Sequence, residues 1–171
     1  MKKNKGFSII ELIVVIAIMA VLVGVIAPWF VRHVEKSKRT LDAKNAEELV
    51  DSMDRMATLY NAHSYSASAG DWEMKFYNNK SGTNIDDDSV YSRAFKELGG
   101  IPDSRVDDDL WWAVYYYEPS TAPSGVTVDA SKKPLKKIYL VDSSDHTKGY
   151  ELYPDSTKYI EDFEMVPVTL D

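Results

Sequence analysis

The sequence predicts an α+β protein. A long N-terminal α-helix, transmembrane first and amphipathic after, should pack on a C-terminal head built from an antiparallel sheet. Three observations carry this prediction. Leu12–Val31 is a run of twenty residues without a charge, and at 1.5 Å per residue such a run makes about 30 Å of helix, the thickness of a bilayer's hydrocarbon core. After Val31, apolar residues return at helical spacing among charges. Beyond residue 100, short aromatic and β-branched stretches alternate with turn residues, as strands do.

The helix is expected from about Ser8 to Asn61. Gly24 and Pro28 are the interruptions of its apolar run, and Pro28 removes a backbone donor, so it should kink or loosen the helix there. Val34, Leu41, Ala46, Leu49, Met53, Met56 and Tyr60 then recur mostly three, four and seven apart, a stripe suited to packing under the head. Ser64 to Gly70 reads as a loop. Asp71 to Tyr77 fits a short helix or strand, and Val90 to Leu98 a helix capped by Asp88 or Ser89 and stopped by Gly99-Gly100. Leu110 to Glu118 is an aromatic strand. Pro119 to Pro134 is a loop with a short strand candidate at Val126 to Val128. Lys136 to Asp142 and Gly149 to Tyr153 suit a hairpin, and Phe163 to Leu170 a last strand.

Residues 1–63 hold nine Lys/Arg against seven Asp/Glu, and residues 64–171 eleven against twenty, so a near-neutral rod carries an acidic head. The chain has no cysteine, which excludes disulfides and thiolate chemistry. The three histidines, His33, His63 and His146, are scattered without metal-ligand spacing. Nucleotide-binding and nucleophile-elbow motifs are absent, and the expectation is a protein without catalytic activity.

Glu11 is the one ionisable side chain between Lys5 and Arg32. A carboxylate at the head of an apolar run is tolerable when it is paired. Lys5-Gly6-Phe7-Ser8-Ile9-Ile10-Glu11-Leu12, followed by the apolar run, resembles the processing signature of type IV pilins and type II secretion pseudopilins. The resemblance covers roughly residues 1 to 60. It implies that a membrane-embedded prepilin peptidase cuts between Gly6 and Phe7 on the cytoplasmic face and N-methylates Phe7. It also implies that Glu11, fifth from the new terminus, serves assembly, and it places Pro28 at the family's helix kink. The implied layout is a leader at 1–6, a transmembrane and assembly helix at 7–31, its amphipathic continuation at 32–63 and a head at 64–171. Many Gram-negative pilins close a C-terminal loop with a disulfide, which this chain lacks the residues to form; a Gram-positive type IV pilin remains open.

The function implied is a structural subunit of a type IV pilus that self-associates through its N-terminal helix. It would sit as a single-pass protein in the inner or cytoplasmic membrane before assembly, then in an extracellular pilus. The alternative is a pseudopilin of a type II secretion or competence system, in a filament spanning the periplasm. A different class of reading is a monomeric anchored binding domain with an aromatic recognition face at Trp111, Trp112 and Tyr115 to Tyr117. No cofactor is expected. Asp107, Asp108 and Asp109, with Asp103 and Asp86 to Asp88, are candidate calcium ligands, although runs of aspartate more often cap helices and turns. Lys132, Lys133, Lys136 and Lys137 form the basic cluster that DNA contact would need; in so acidic a head they read instead as guards of an edge strand, and DNA is not an expected partner.

Overall fold

The structure is a computed structural model, and it describes residues 6–63, 74–78, 85, 89–107, 109–117 and 135–169. The chain divides into two compact units, Met1–Ser37 and Lys38–Asp171. Helix α1, Ile9–His63, runs through the boundary and contains Pro28. From Gly6 to Lys38 every side chain is exposed, and this part of the helix is long and apolar enough to cross a membrane.

The second unit contains the rest of α1, then β1 (Lys75–Tyr77), α2 (Val90–Glu97), β2 (Trp111–Tyr117), β3 (Leu135–Val141), β4 (Lys148–Tyr153), a π-helical turn (Lys158–Asp162) and β5 (Val166–Pro167). The five strands form one antiparallel sheet in sequence order, each paired with the next. Helix α2 begins where Ser92 N donates to the Ser89 hydroxyl at 3.2 Å, the N-cap choice that satisfies an orphan donor. It ends at Gly99 and Gly100, whose φ of 89° and 129° lie where side chains are disfavoured.

The strand period of two gives the sheet two apolar faces. Trp112, Val114, Tyr116, Ile138 and Leu140 share a core with Ala46, Leu49, Val50, Met53 and Ala57 of α1 and with Tyr91, Ala94 and Phe95 of α2. The opposite face holds a smaller cluster in which Ala113, Tyr139 and Val141 are buried against Met74, Phe76, Trp111, Val166 and Val168. Six of the seven β2 side chains are therefore buried, Trp111 alone being intermediate, so the aromatic residues of this strand are packed rather than presented as a recognition face.

Several expectations need correction. Leu41 is 48% exposed and Val34 also faces solvent, while Asp42 and Ser52, which the apolar stripe did not include, are fully buried. The buried face of this part of the helix runs through Asp42, Ala43, Ala46, Leu49, Val50 and Met53, and Leu41 falls outside it. Among the described residues the sheet has five strands, with Lys75–Tyr77, read as a short helix or strand, pairing at its edge. Lys136 and Lys137 lie on β3, a central strand, so they guard no edge. The last strand shrinks to Val166–Pro167, because the π turn ends at Phe163, whose φ of 53° is left-handed and breaks extended pairing.

Polar side chains fasten these layers. Tyr116 Oη donates to Asp54 Oδ1 at 2.8 Å, and Lys136 Nζ reaches the same oxygen at 2.6 Å. Ser52 bonds both Ala94 O (3.2 Å) and the Glu97 carboxylate, which Arg55 Nε pairs at 3.0 Å. The Ser52 hydroxyl and then Arg55 hold the Glu97 carboxyl below its ordinary range. Tyr91 Oη accepts from Tyr116 N (3.2 Å) and sits 3.3 Å from Tyr116 O. Strand β1 pairs only with Trp112 to Val114, so the Tyr91 hydroxyl serves backbone groups that lie past its reach.

Candidate functional site: the processing and assembly segment

The sequence places Gly6, Phe7 and Glu11 at the start of the apolar run, and the structure places them at the open end of α1. A side-chain carbon built on Gly6 would meet nothing within 4 Å, and Phe7 is 88% exposed. The peptide bond between them is thus reachable from solvent, on the extended side of the helix start. Ser8 N donates to Glu11 Oε2 at 2.9 Å. Glu11 is the third residue of the helix, so its carboxylate satisfies a backbone donor at the positive end of the macrodipole. Ser8-Ile9-Ile10-Glu11 is the Ser-x-x-Glu capping pattern, a signal present in the sequence that explains how one carboxylate is accommodated here without a cationic side chain. The other carboxylate oxygen leaves acceptor capacity for a second donor.

Ile9, Ile10, Leu12, Ile13, Val14 and their successors to Val31 are exposed on all sides of the helix. A helix apolar all round is built for lipid or for the interior of an assembly. Pro28 lies inside the helix without ending it.

The prokaryotic N-terminal methylation motif matches residues 1–27. The chain carries the leader of type IV pilins and pseudopilins. This leader implies processing by prepilin peptidase and entry into pilus-like assembly machinery, and with the apolar helix it fits a membrane-anchored pilin-type precursor. No curated protein and no solved structure gives a significant match.

The remaining candidates of the sequence are dispersed. Asp107 Oδ1 accepts from Asp109 N at 3.0 Å and Asp107 O from Leu110 N, an arrangement that closes a turn. Asp108 and Asp86 to Asp88 lie outside the described residues. Among the described residues no three His, Cys, Asp or Glu side chains group as metal ligands. Lys136 turns inward to Asp54 while Lys137 Nζ reaches Thr169 O at 3.0 Å, so these two neighbours serve opposite faces of the sheet. Lys132 and Lys133 lie outside the described residues, as does the strand candidate at Val126 to Val128.

One polar centre escaped the sequence reading. Asp42 accepts from Arg105 N (2.9 and 3.1 Å), from the Ser104 hydroxyl (3.1 Å) and from the Tyr159 hydroxyl (2.9 Å). Nearby, the Arg39 guanidinium lies 4.5 Å from the centroid of Phe163 and donates to Ile160 O at 3.3 Å, while Phe163 stacks on Tyr150 at 4.5 Å. The clasp ties the loop before β2 and the π turn to one stretch of helix without a covalent link. Burial pushes the Asp42 carboxyl above its ordinary range, against the pull of its hydrogen bonds. Burial and the adjacent Asp42 carboxylate raise Tyr159.

Proposed function

We propose that the mature chain, residues 7–171, is a structural subunit of a type IV pilus that polymerises through its N-terminal helix into a surface filament. The observation that carries this reading is the apolar, fully exposed helix behind Phe7 with a single carboxylate at its head. Helices of this kind can bundle, and burial stabilises the bundle by about 25 cal/mol per Å² of apolar surface. Cleavage after Gly6 creates an ammonium at Phe7, which the peptidase then methylates. Glu11, already held at the helix start by Ser8 N, keeps an oxygen for the Phe7 ammonium of an adjacent subunit, and this pairing sets the register. The heads remain outside, and the work of extraction comes from a separate motor. The role is structural and not catalytic.

Glu11→Ala tests the reading, because alanine keeps the helix and removes the carboxylate. The expected result is normal cleavage and insertion with loss of sheared filament. A plain membrane anchor predicts easier insertion and no assembly defect, so wild-type amounts of sheared filament would overturn the assignment. A pseudopilin would share the defect but act in secretion or DNA uptake, and would release little filament on shearing even as wild type.

A further inference from the structure

Of the first charged and titratable residues after the apolar run, Arg32, His33 and Lys36 share one side of the helix, while Glu35 lies outside that arc. Trp29, Arg32, His33 and Lys36 together line a shallow concavity on its surface, with the Trp29 and His33 rings edge to face at 4.2 Å. At 3.6 residues per turn the four fall within about 100° of arc, while Lys38 projects from the opposite side. Trp29 is 62% exposed and lies in the last turn of the uncharged run. Arg39 is spoken for elsewhere, over Phe163.

We propose that Trp29, Arg32, His33 and Lys36 form a binding site for the phosphate-bearing headgroup of an anionic phospholipid in the exported leaflet. The inference rests on membrane anchoring of the precursor and not on filament formation. With the leader on the cytoplasmic side, Leu12–Val31 spans the hydrocarbon and places Arg32 at the far headgroup layer. Tryptophan favours that layer because its ring is apolar and its N–H seeks a partner. Basic residues are normally biased to the cytoplasmic flank. Here Lys2, Lys3 and Lys5 leave with the leader, so the basic side chains of the mature chain that adjoin the span all lie on the exported side. Arginine and lysine one turn apart supply a forked donor and a point charge, which suits phosphate. The site would hold the stored subunit at a fixed depth and rotation while it awaits extraction.

Native mass spectrometry of the mature full-length protein, released from micelles doped equally with phosphatidylglycerol and phosphatidylcholine, tests the proposal. Phosphatidylglycerol should be retained in preference. Arg32→Gln combined with Lys36→Gln should weaken its retention about 30-fold, the effect of two basic side chains near an anionic surface, and leave phosphatidylcholine unchanged. Lys38→Gln should leave both unchanged, and millimolar inorganic phosphate should not displace the lipid. Equal loss with Lys38→Gln would show diffuse charge rather than a site and overturn the proposal. Displacement by inorganic phosphate would reassign the site to free phosphate. Retention of phosphatidylglycerol by the double variant, with loss of filaments, would show that the cluster meets an acidic surface of a second copy and not a lipid. The Glu11→Ala test does not touch this site, so the two readings fail separately.

Discussion

Replacing Asp42 by alanine removes the acceptor that three donors share: the buried Ser104 and Tyr159 hydroxyls and the partly buried Arg105 N–H. A buried donor left unsatisfied costs about 1–3 kcal/mol. Removing a desolvated carboxylate returns part of that, so the net loss should be about 3 kcal/mol, or about 10 °C in melting temperature for a unit of this size. Tyr159→Phe removes one donor and should cost about 1 kcal/mol. The double variant should fall short of the sum by about 1 kcal/mol, because the hydroxyl orphaned by the first change is gone in the second. Near-ultraviolet circular dichroism of the detergent-solubilised protein follows the melt through its buried tyrosines. Asp42→Asn adds a pH test. Because burial raises the Asp42 carboxyl in the folded state, the native protein holds that proton more tightly than the unfolded chain. The wild type should therefore lose stability relative to Asp42→Asn as pH rises from about 4 through the folded pKa, and the difference should level off above it. An Asp42→Ala melt unchanged from wild type would refute the clasp. A wild type that gains on Asp42→Asn with rising pH would show that the hydrogen bonds outweigh burial.

Gly149→Ala would place its methyl 2.7 Å from a Val141 methyl and 2.9 Å from Leu140 O, where β3 and β4 pair; a loss of about 2 kcal/mol is expected from such overpacking, and a denaturant midpoint equal to wild type would count against this register. Residues 31–171 expressed alone should be soluble and melt cooperatively, because the buried core begins at Ala43; aggregation in every buffer tried would contradict a self-contained head.

The parts legible in the sequence were those governed by local rules. Twenty uncharged residues, the Ser89 cap, the Gly99-Gly100 stop and the run of aromatic residues in β2 each follow from a neighbour or a period. Asp42 was missed because a charged residue in an amphipathic helix is assigned by default to the solvated face. Its burial depends on Arg105 and Tyr159, which are distant in the chain and carry no periodic signal. Lys136 misled for a related reason: lysine on a strand suggests an edge, but Asp54 on the helix gives it a partner across the layers. The π turn and left-handed Phe163 were invisible because the stacking of Phe163 on Tyr150 and under Arg39 is set by tertiary contacts alone. At the N-terminus the Ser8 to Glu11 cap is legible as the local pattern Ser-x-x-Glu.

The most direct test of the central claim is the intact mass of this protein in the fraction sheared from cell surfaces. The account predicts a single species that begins at Phe7 and carries one added methyl group. Uncleaved Met1, a terminus at Pro28, or a chain found only in the membrane fraction would contradict it.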